Sequence, residues 1–114
     1  MKIYIYIIVL SVFFSSCKTG QGLYSWSKYE QASYNYLKKS DEKSTNNLLK
    51  EYKLIINNQK GTRKSIPPGI MADYGFLLIQ KGDLIEGKSY LNREISLYPE
   101  SRIFIERILK LIEK

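Results

Sequence analysis

The sequence predicts an all-α fold of antiparallel helical hairpins, with about five helices in the folded part. Two observations predict it: apolar residues recur three and four positions apart along most of the chain, and no stretch alternates with a period of two over a convincing length. The 114 residues allow one small domain, and a hydrophobic content of 44% can supply its core. This domain is expected over residues 23–114, after a flexible, small and polar tether over residues 17–22.

The first seventeen residues have the features of an export signal. Lys2 precedes an apolar run over residues 3–14, and residues 15–17 are Ser-Ser-Cys. The run is shorter than the roughly 18 to 20 residues that cross a bilayer as a helix, and its cationic start and small-residue end are typical of a cleavable signal. Residues 1–16 are therefore predicted to be a signal peptide, removed either by ordinary cleavage or at the cysteine after lipid attachment.

The sequence Phe14-Ser15-Ser16-Cys17 resembles the bacterial lipoprotein signal, or lipobox, although Leu is more usual than Phe at its first position. The resemblance implies that the Cys17 thiol carries a diacylglycerol and its freed amine an acyl chain, which anchor the chain to a membrane. In lipoprotein sorting, Asp after the cysteine retains the protein in the inner membrane, so Lys18 implies delivery to the outer membrane. A periplasm-facing domain is expected, with a surface-facing one as the alternative. The alternative is an unmodified, buried Cys17 within a membrane anchor.

The first helix of the domain is predicted to begin near Trp26. Ser25 and Ser27 are candidate N-caps, and Ser27 with Glu30 has the spacing of a capping box. The predicted apolar stripe, at helical spacing, consists of Trp26, Tyr29, Ser33, Tyr36 and Leu37.

The second helix is predicted over residues 41–60. Ser40 is its candidate cap, and Gly61 is a stop signal because glycine accommodates the left-handed conformation that often ends a helix. The predicted apolar face consists of Leu48, Tyr52, Ile55, Ile56 and Gln59.

Residues 66–69, Ile-Pro-Pro-Gly, predict an extended turn because each proline restricts the residue before it. A third helix is predicted over residues 69–81 and a fourth over residues 84–98, with a Gly-Asp turn at residues 82–83 between them. Pro99 ends the fourth helix. The predicted apolar residues of the third helix are Ile70, Tyr74, Leu77 and Leu78. Those of the fourth are Leu84, Gly87, Leu91, Ile95 and Tyr98.

The last helix is predicted from Ser101, which is its candidate cap, to about Glu113. Its apolar residues recur at helical spacing, so one face is expected to turn toward the domain core. The residues predicted on this inner face are Phe104, Ile108, Leu111 and Ile112.

The third and fourth helices resemble one 34-residue tetratricopeptide repeat, in the positions of Gly75, Gly82-Asp83, Gly87 and Pro99. Glycine inside a helix costs about 1 kcal/mol relative to alanine, so Gly75 and Gly87 imply a close approach of the two helices. Glu94 departs from the pattern, where Ala is usual. Because one unit cannot bury its own face, the first two helices are expected to form an earlier, degenerate unit and the last helix a cap.

Three segments, residues 23–29, 67–75 and 94–101, resemble the family of small bacterial lipoproteins named domain of unknown function 4810 (DUF 4810). The resemblance covers nearly the whole chain after the cysteine. Members tend to be encoded beside a lipoprotein related to the curli-secretion factor CsgG and a third small lipoprotein, which implies an envelope assembly. The family has no established site residues, so the resemblance implies none here.

The composition argues against an enzyme. The chain has no histidine, which removes the commonest metal ligand and the commonest general base near neutral pH, and its single cysteine excludes an intrachain disulfide. Three carboxylates, Asp73, Glu94 and Glu100, stand isolated among apolar or turn residues. We therefore expect no catalytic residue, no metal, no cofactor and no small-molecule substrate.

The formal net charge of +7 suggests an anionic partner. A nucleic-acid interpretation would use Lys38-Lys39 and Arg63-Lys64 as basic patches, with Tyr34 and Tyr36 as stacking groups. The expected export argues against it. Attraction to lipid or lipopolysaccharide phosphates is the more local use of this charge.

The functional expectation is a non-catalytic protein-interaction module in an envelope assembly with a CsgG-like lipoprotein. The alternative is a periplasmic regulator or binder in cell-wall (peptidoglycan) synthesis, and a hydrolase is a minor alternative. Only Cys17 is assigned chemistry. The residues expected to be architectural are Trp26, Pro68, Gly75, Gly82 and Pro99.

Overall fold

The computed structural model describes residues 1–13, 20 and 22–114. Its helices are α1 (Lys2–Phe13), α2 (Tyr29–Lys39), α3 (Glu42–Asn57), α4 (Ile70–Gln80), α5 (Leu84–Leu97) and α6 (Arg102–Ile112), with a 3₁₀ turn at Pro99–Ser101. The described ranges contain no strand, and the prediction of an all-α fold with helical hairpins is confirmed. Within these ranges no helix combines the length and the apolar character needed to span a membrane.

Helices α2 and α3 form the first hairpin. The predicted apolar face of α3 is confirmed for its four helical members, which are buried: Leu48, Tyr52, Ile55 and Ile56. Asp41 caps α3, because its carboxylate accepts a hydrogen bond from the Ser44 backbone N–H at 2.7 Å while the Ser44 hydroxyl accepts one from the Asp41 N–H at 3.2 Å. The predicted cap at Ser40 was therefore one residue too early.

The start of α2 differs from the prediction. Trp26 precedes the helix, and neither Ser25 nor Ser27 caps it; the Ser27 hydroxyl instead donates to Glu51 Oε2 at 2.7 Å. Ala32 is the buried residue of α2, and Leu37 is 75% exposed. Five residues separate Ala32 from Leu37, which places them on different sides of a helix with 3.6 residues per turn.

Helices α4 and α5 form the second hairpin, and the predicted close approach is present. A Cβ atom added at Gly75 would lie 2.6 Å from the Gly87 carbonyl oxygen, and the reverse substitution would meet the Gly75 oxygen at the same distance. Gly82 makes the turn with φ of +97°, and the Asp83 carboxylate caps α5 by accepting from the Glu86 N–H at 3.3 Å.

Helix α6 packs against the second hairpin with a face rotated from the predicted one. Ile105 is fully buried, and Ile108, Leu109 and Ile112 are the partly buried residues that pack beside it. Phe104 and Leu111, which were predicted to face inward, are 64% and 71% exposed. The Pro99–Ser101 turn leads directly into α6, and Ser101 provides no side-chain cap.

The buried residues form two clusters that meet at α4. One cluster joins α2, α3 and α4, and the other joins α4, α5 and α6 through Ala72, Leu91, Ile95 and Ile105. The predicted apolar residues of α4, namely Ile70, Tyr74, Leu77 and Leu78, are all buried in the first cluster. Helix α4 is thus the central element of the domain.

Candidate interaction surfaces

The predicted lipidation residue, Cys17, lies outside the described residues, as does Lys18. The structure therefore bears on the surfaces of the domain that follows them. Of the two tyrosines in the nucleic-acid interpretation, Tyr36 packs against the core and Tyr34 is exposed, with the Lys38 ammonium 5.8 Å from its ring centre.

The segment that leads into the domain is hydrogen-bonded to the loop after α3. The Thr62 N–H donates to the Gly22 carbonyl and the Arg63 N–H to the Leu23 carbonyl, both at 3.1 Å. The Gln59 amide donates to the Ser25 carbonyl at 3.1 Å and accepts from the Ser25 N–H. These bonds fix the point at which the chain enters the domain.

Gly61 allows this contact. It does not terminate α3, which ends four residues earlier at Asn57; it is buried against the entering segment. A Cβ atom at Gly61 would lie 2.3 Å from the Leu23 carbonyl oxygen, closer than any side chain permits. Gln59, predicted on the apolar face of the second helix, likewise lies beyond the helix and serves this contact.

A row of aromatic rings runs from the entering segment into the core. Neighbouring ring centres are 4.6 to 6.2 Å apart along Tyr24, Trp26, Tyr29, Tyr52, Tyr74 and Tyr90. An arginine lies over each end ring, Arg63 over Tyr24 at 5.7 Å and Arg93 over Tyr90 at 4.8 Å. Burial raises the pKa of the Tyr52 and Tyr74 phenols, so both are neutral at physiological pH.

A groove of about 380 Å³ lies between α3 and α4. Its lining combines apolar with basic and amide side chains: Asn46, Leu49, Lys50, Lys53, Leu54, Asn57, Tyr74 and Leu78. The α3 residues among them recur at three- and four-residue spacing, so one helix face supplies the cations and the amides. The electrostatic interaction and the hydrogen bond with the neighbouring Tyr74 phenol raise the pKa of the Lys53 ammonium. No residue that lines this groove was predicted from the sequence to bind a partner.

Glu94, the one fully buried carboxylate among the described residues, connects α5 to the start of α4. Its Oε1 accepts a hydrogen bond from the Gly69 N–H at 2.6 Å, so it satisfies the backbone donor of the N-cap residue, the group that the side chain of the third helical residue reaches in a capping box. Among the described atoms, Oε2 has no hydrogen-bond partner. Desolvation, and secondarily the Glu94 charge, raises the pKa of Asp73. Asp73 and Glu94 are thus close enough to interact, and they are not isolated from each other as the sequence had suggested.

The carboxylates of the described ranges are dispersed with respect to metal binding. No group of three carboxylate or thiol side chains there could hold a metal ion. Glu94 is enclosed and acts as a helix cap, and no hydroxyl or amine is hydrogen-bonded to it. The groove and the entering segment have features suited to binding.

The model of the family described as Domain of unknown function (DUF4810) matches residues 23–108. The chain belongs to this family. The comparison with curated proteins and the comparison with solved structures gave no match. The DUF4810 region contains α2 to α5 and α6 as far as Ile108.

Two of the segments that carried the DUF4810 resemblance meet in space. The Glu94 carboxylate of the segment over residues 94–101 binds the Gly69 N–H of the segment over residues 67–75. From the same part of the chain, the Tyr98 hydroxyl donates to the Ile66 carbonyl at 2.6 Å. These residues hold α5 to the turn before α4, which gives them an architectural role in this DUF4810 domain.

Proposed function

We propose that this DUF4810 protein is an outer-membrane lipoprotein, anchored through Cys17 and facing the periplasm, that serves as a non-catalytic protein-interaction module in an envelope assembly with a CsgG-like lipoprotein. The observation that carries the proposal is the groove between α3 and α4, with its apolar floor and basic rim. The CsgG-like partner is inferred from the DUF4810 family resemblance, and the lipid anchor is inferred from the lipobox resemblance.

The groove suits a short protein segment in which an apolar side chain is flanked by carboxylates. Leu49, Leu54 and Leu78 offer apolar contact, while Lys50 and Lys53 offer charge complementary to Asp or Glu. Its volume of about 380 Å³ is near the lower end of the range for ligand pockets, so it accommodates a few side chains of a partner. A groove lined by these side chains is suited to bind a partner segment without reacting with it.

Co-purification tests the proposal. The full chain, solubilised from envelopes in mild detergent, is compared with Lys50→Gln/Lys53→Gln and with the control Lys38→Gln/Lys39→Gln, which removes the same charge from the end of α2. We expect the wild type and the control to recover the CsgG-like lipoprotein and the groove variant to recover roughly tenfold less, because rim charges steer association and suppress wrong partners. Equal recovery by the groove variant would refute the role of the groove.

The other functions give different outcomes. Recovery of a peptidoglycan synthase or of glycan in place of the lipoprotein would favour the cell-wall alternative. Turnover of murein, ester or peptide substrates by the purified protein, lost on substitution of a surface carboxylate, would favour the hydrolase.

The anchor has its own test. Wild-type protein is expected to incorporate metabolic palmitate, and Cys17→Ser is expected to incorporate none and to retain its signal segment, because the thiol is the attachment atom. Equal labelling of both proteins would show that Cys17 is not the lipidated residue.

A further inference from the structure

We propose that the surface at which the chain enters the domain docks on the anionic phospholipid headgroups of the membrane that holds the acyl chains. This surface, the entry face, consists of Leu23, Trp26, Lys60, Arg63 and Lys64. The inference rests on the proposed anchoring at Cys17 and specifies how the anchored domain is oriented.

Covalent geometry keeps the entry face near the membrane. Five residues separate Cys17 from Gly22, and an extended chain of that length reaches at most about 18 Å. The hydrogen bonds from Thr62 to Gly22 and from Arg63 to Leu23, both at 3.1 Å, then place the loop after α3 directly beside the end of this connection.

The loop at the entry face is basic and well defined. Lys60, Arg63 and Lys64 are exposed, and the sequence contains no acidic residue between Glu51 and Asp73. The Lys64 N–H donates to the Gly61 carbonyl at 3.0 Å, which closes a turn that presents the Arg63 and Lys64 side chains. Basic residues within a Debye length of an anionic leaflet are attracted to it, each by about fivefold in binding constant.

Apolar and aromatic groups accompany these cations. Leu23 is 61% exposed and Trp26 is 44% exposed. The Tyr24 ring holds both parts together: the Trp26 ring centre is 6.2 Å from it, and Arg63 Nη1 donates to the Tyr24 hydroxyl at 2.9 Å. Tryptophan beside basic side chains is the composition that membrane–water interfaces favour.

The acidic group beside the entering segment is engaged within the domain. Glu51 Oε2 accepts hydrogen bonds from the Ser27 hydroxyl at 2.7 Å and from the Lys28 N–H at 3.1 Å. Its carboxylate is thereby held against the start of α2, and the loop after α3 contributes positive charge to the entry face through the exposed Arg63 and Lys64. Charge complementarity therefore selects an anionic surface as the occupant.

Trp26 is the only tryptophan of the chain, so its fluorescence reports on this face alone. The acylated full-length product is reconstituted into vesicles of phosphatidylethanolamine with phosphatidylglycerol, or of phosphatidylcholine alone, that carry brominated acyl chains as quenchers. The test variant is Lys60→Gln/Arg63→Gln/Lys64→Gln, and the matched control is Lys38→Gln/Lys39→Gln/Lys43→Gln. Circular dichroism verifies that each variant is folded.

We expect strong quenching of Trp26 in the anionic vesicles for the wild type and the control, reduced by 0.5 M salt and nearly absent in phosphatidylcholine. The test variant is expected to lose docking by roughly a hundredfold, as the loss of three basic residues implies. Equal quenching of the test variant and the wild type, or equal quenching in both lipids, would overturn the inference.

Failure of this inference can be distinguished from failure of the anchor. Unquenched Trp26 in a protein that carries palmitate would refute docking and leave the lipoprotein proposal standing, whereas absence of palmitate would refute the anchor itself. Shielding of Trp26 only after a partner lipoprotein is added would make the entry face a protein interface and overturn the membrane proposal.

Discussion

Replacement of Gly75 by alanine tests the contact on which the second hairpin depends. The added Cβ would lie 2.6 Å from the Gly87 carbonyl oxygen and 3.1 Å from the Tyr90 Cβ, whereas ordinary contact begins at 3.4 Å. The oxygen belongs to the backbone of α5 and cannot rotate away, so α4 and α5 must separate.

The expected cost follows from two opposing contributions. Overpacking of this kind costs roughly 1 to 3 kcal/mol, and a backbone clash belongs at the upper end of that range. Alanine in place of a mid-helix glycine returns about 1 kcal/mol. We therefore expect Gly75→Ala to lower the free energy of unfolding by about 2 kcal/mol.

Urea unfolding of the full chain in mild detergent measures this loss, with far-ultraviolet circular dichroism and Trp26 fluorescence as two probes. With an m-value near 1 kcal/mol/M, the midpoint should fall by about 2 M. Gly20→Ala is the control, because among the described residues, its chain neighbours aside, no atom lies within 4 Å of the added Cβ. A Gly75→Ala protein as stable as the wild type, with Gly20→Ala unchanged, would refute the close packing of α4 and α5.

Three further predictions concern burial, capping and pH. Ile105→Ala should lower the free energy of unfolding by roughly 2 to 5 kcal/mol in the same urea assay, whereas Leu111→Ala should change it by less than about 0.5 kcal/mol. A larger loss for Leu111→Ala than for Ile105→Ala would show that the face of α6 predicted from the sequence is the buried one. Glu94→Ala should cost about 2 to 4 kcal/mol, because it leaves the Gly69 N–H without its acceptor and opens a cavity, and an unchanged urea midpoint would contradict the cap. The pKa of Asp73 is raised in the folded state, so ionisation of this carboxyl destabilises the fold. The free energy of unfolding of the wild type, relative to that of Asp73→Asn, should therefore be highest below the unfolded pKa of about 3.8 and should fall as the pH rises through the folded pKa. A difference between the two urea midpoints that is the same at pH 3 and at pH 7 would contradict this prediction.

The sequence alone determined the all-α class, the four buried helical residues predicted for α3, the buried face of α4 and the close approach at Gly75 and Gly87. These features are local, since the 3.6-residue period assigns residues to helix faces and a mid-helix glycine indicates a near neighbour. The lipobox is also a local signal, and the acylation of Cys17 stays a prediction.

Only the tertiary structure decided which of two adjacent apolar faces of α6 is buried. Phe104, Ile105, Ile108, Leu111 and Ile112 all satisfy helical spacing, and the choice of Ile105 over Phe104 and Leu111 depends on how the Pro99–Ser101 turn sets α6 against α5. The position of Trp26 was also decided by the tertiary structure. Helical spacing predicted that Trp26 lies at the start of the first helix of the domain, whereas it lies before α2, which begins at Tyr29.

The long-range polar contacts were likewise beyond the sequence. Glu94 lies 25 residues from the Gly69 N–H that it caps, and Gln59 lies 34 residues from Ser25. The helical period predicts which face of each helix is apolar, whereas such contacts depend on the angles and distances between helices. For that reason the fold class could be predicted from the sequence, and the groove and the entry face could be found only once the helices were placed together.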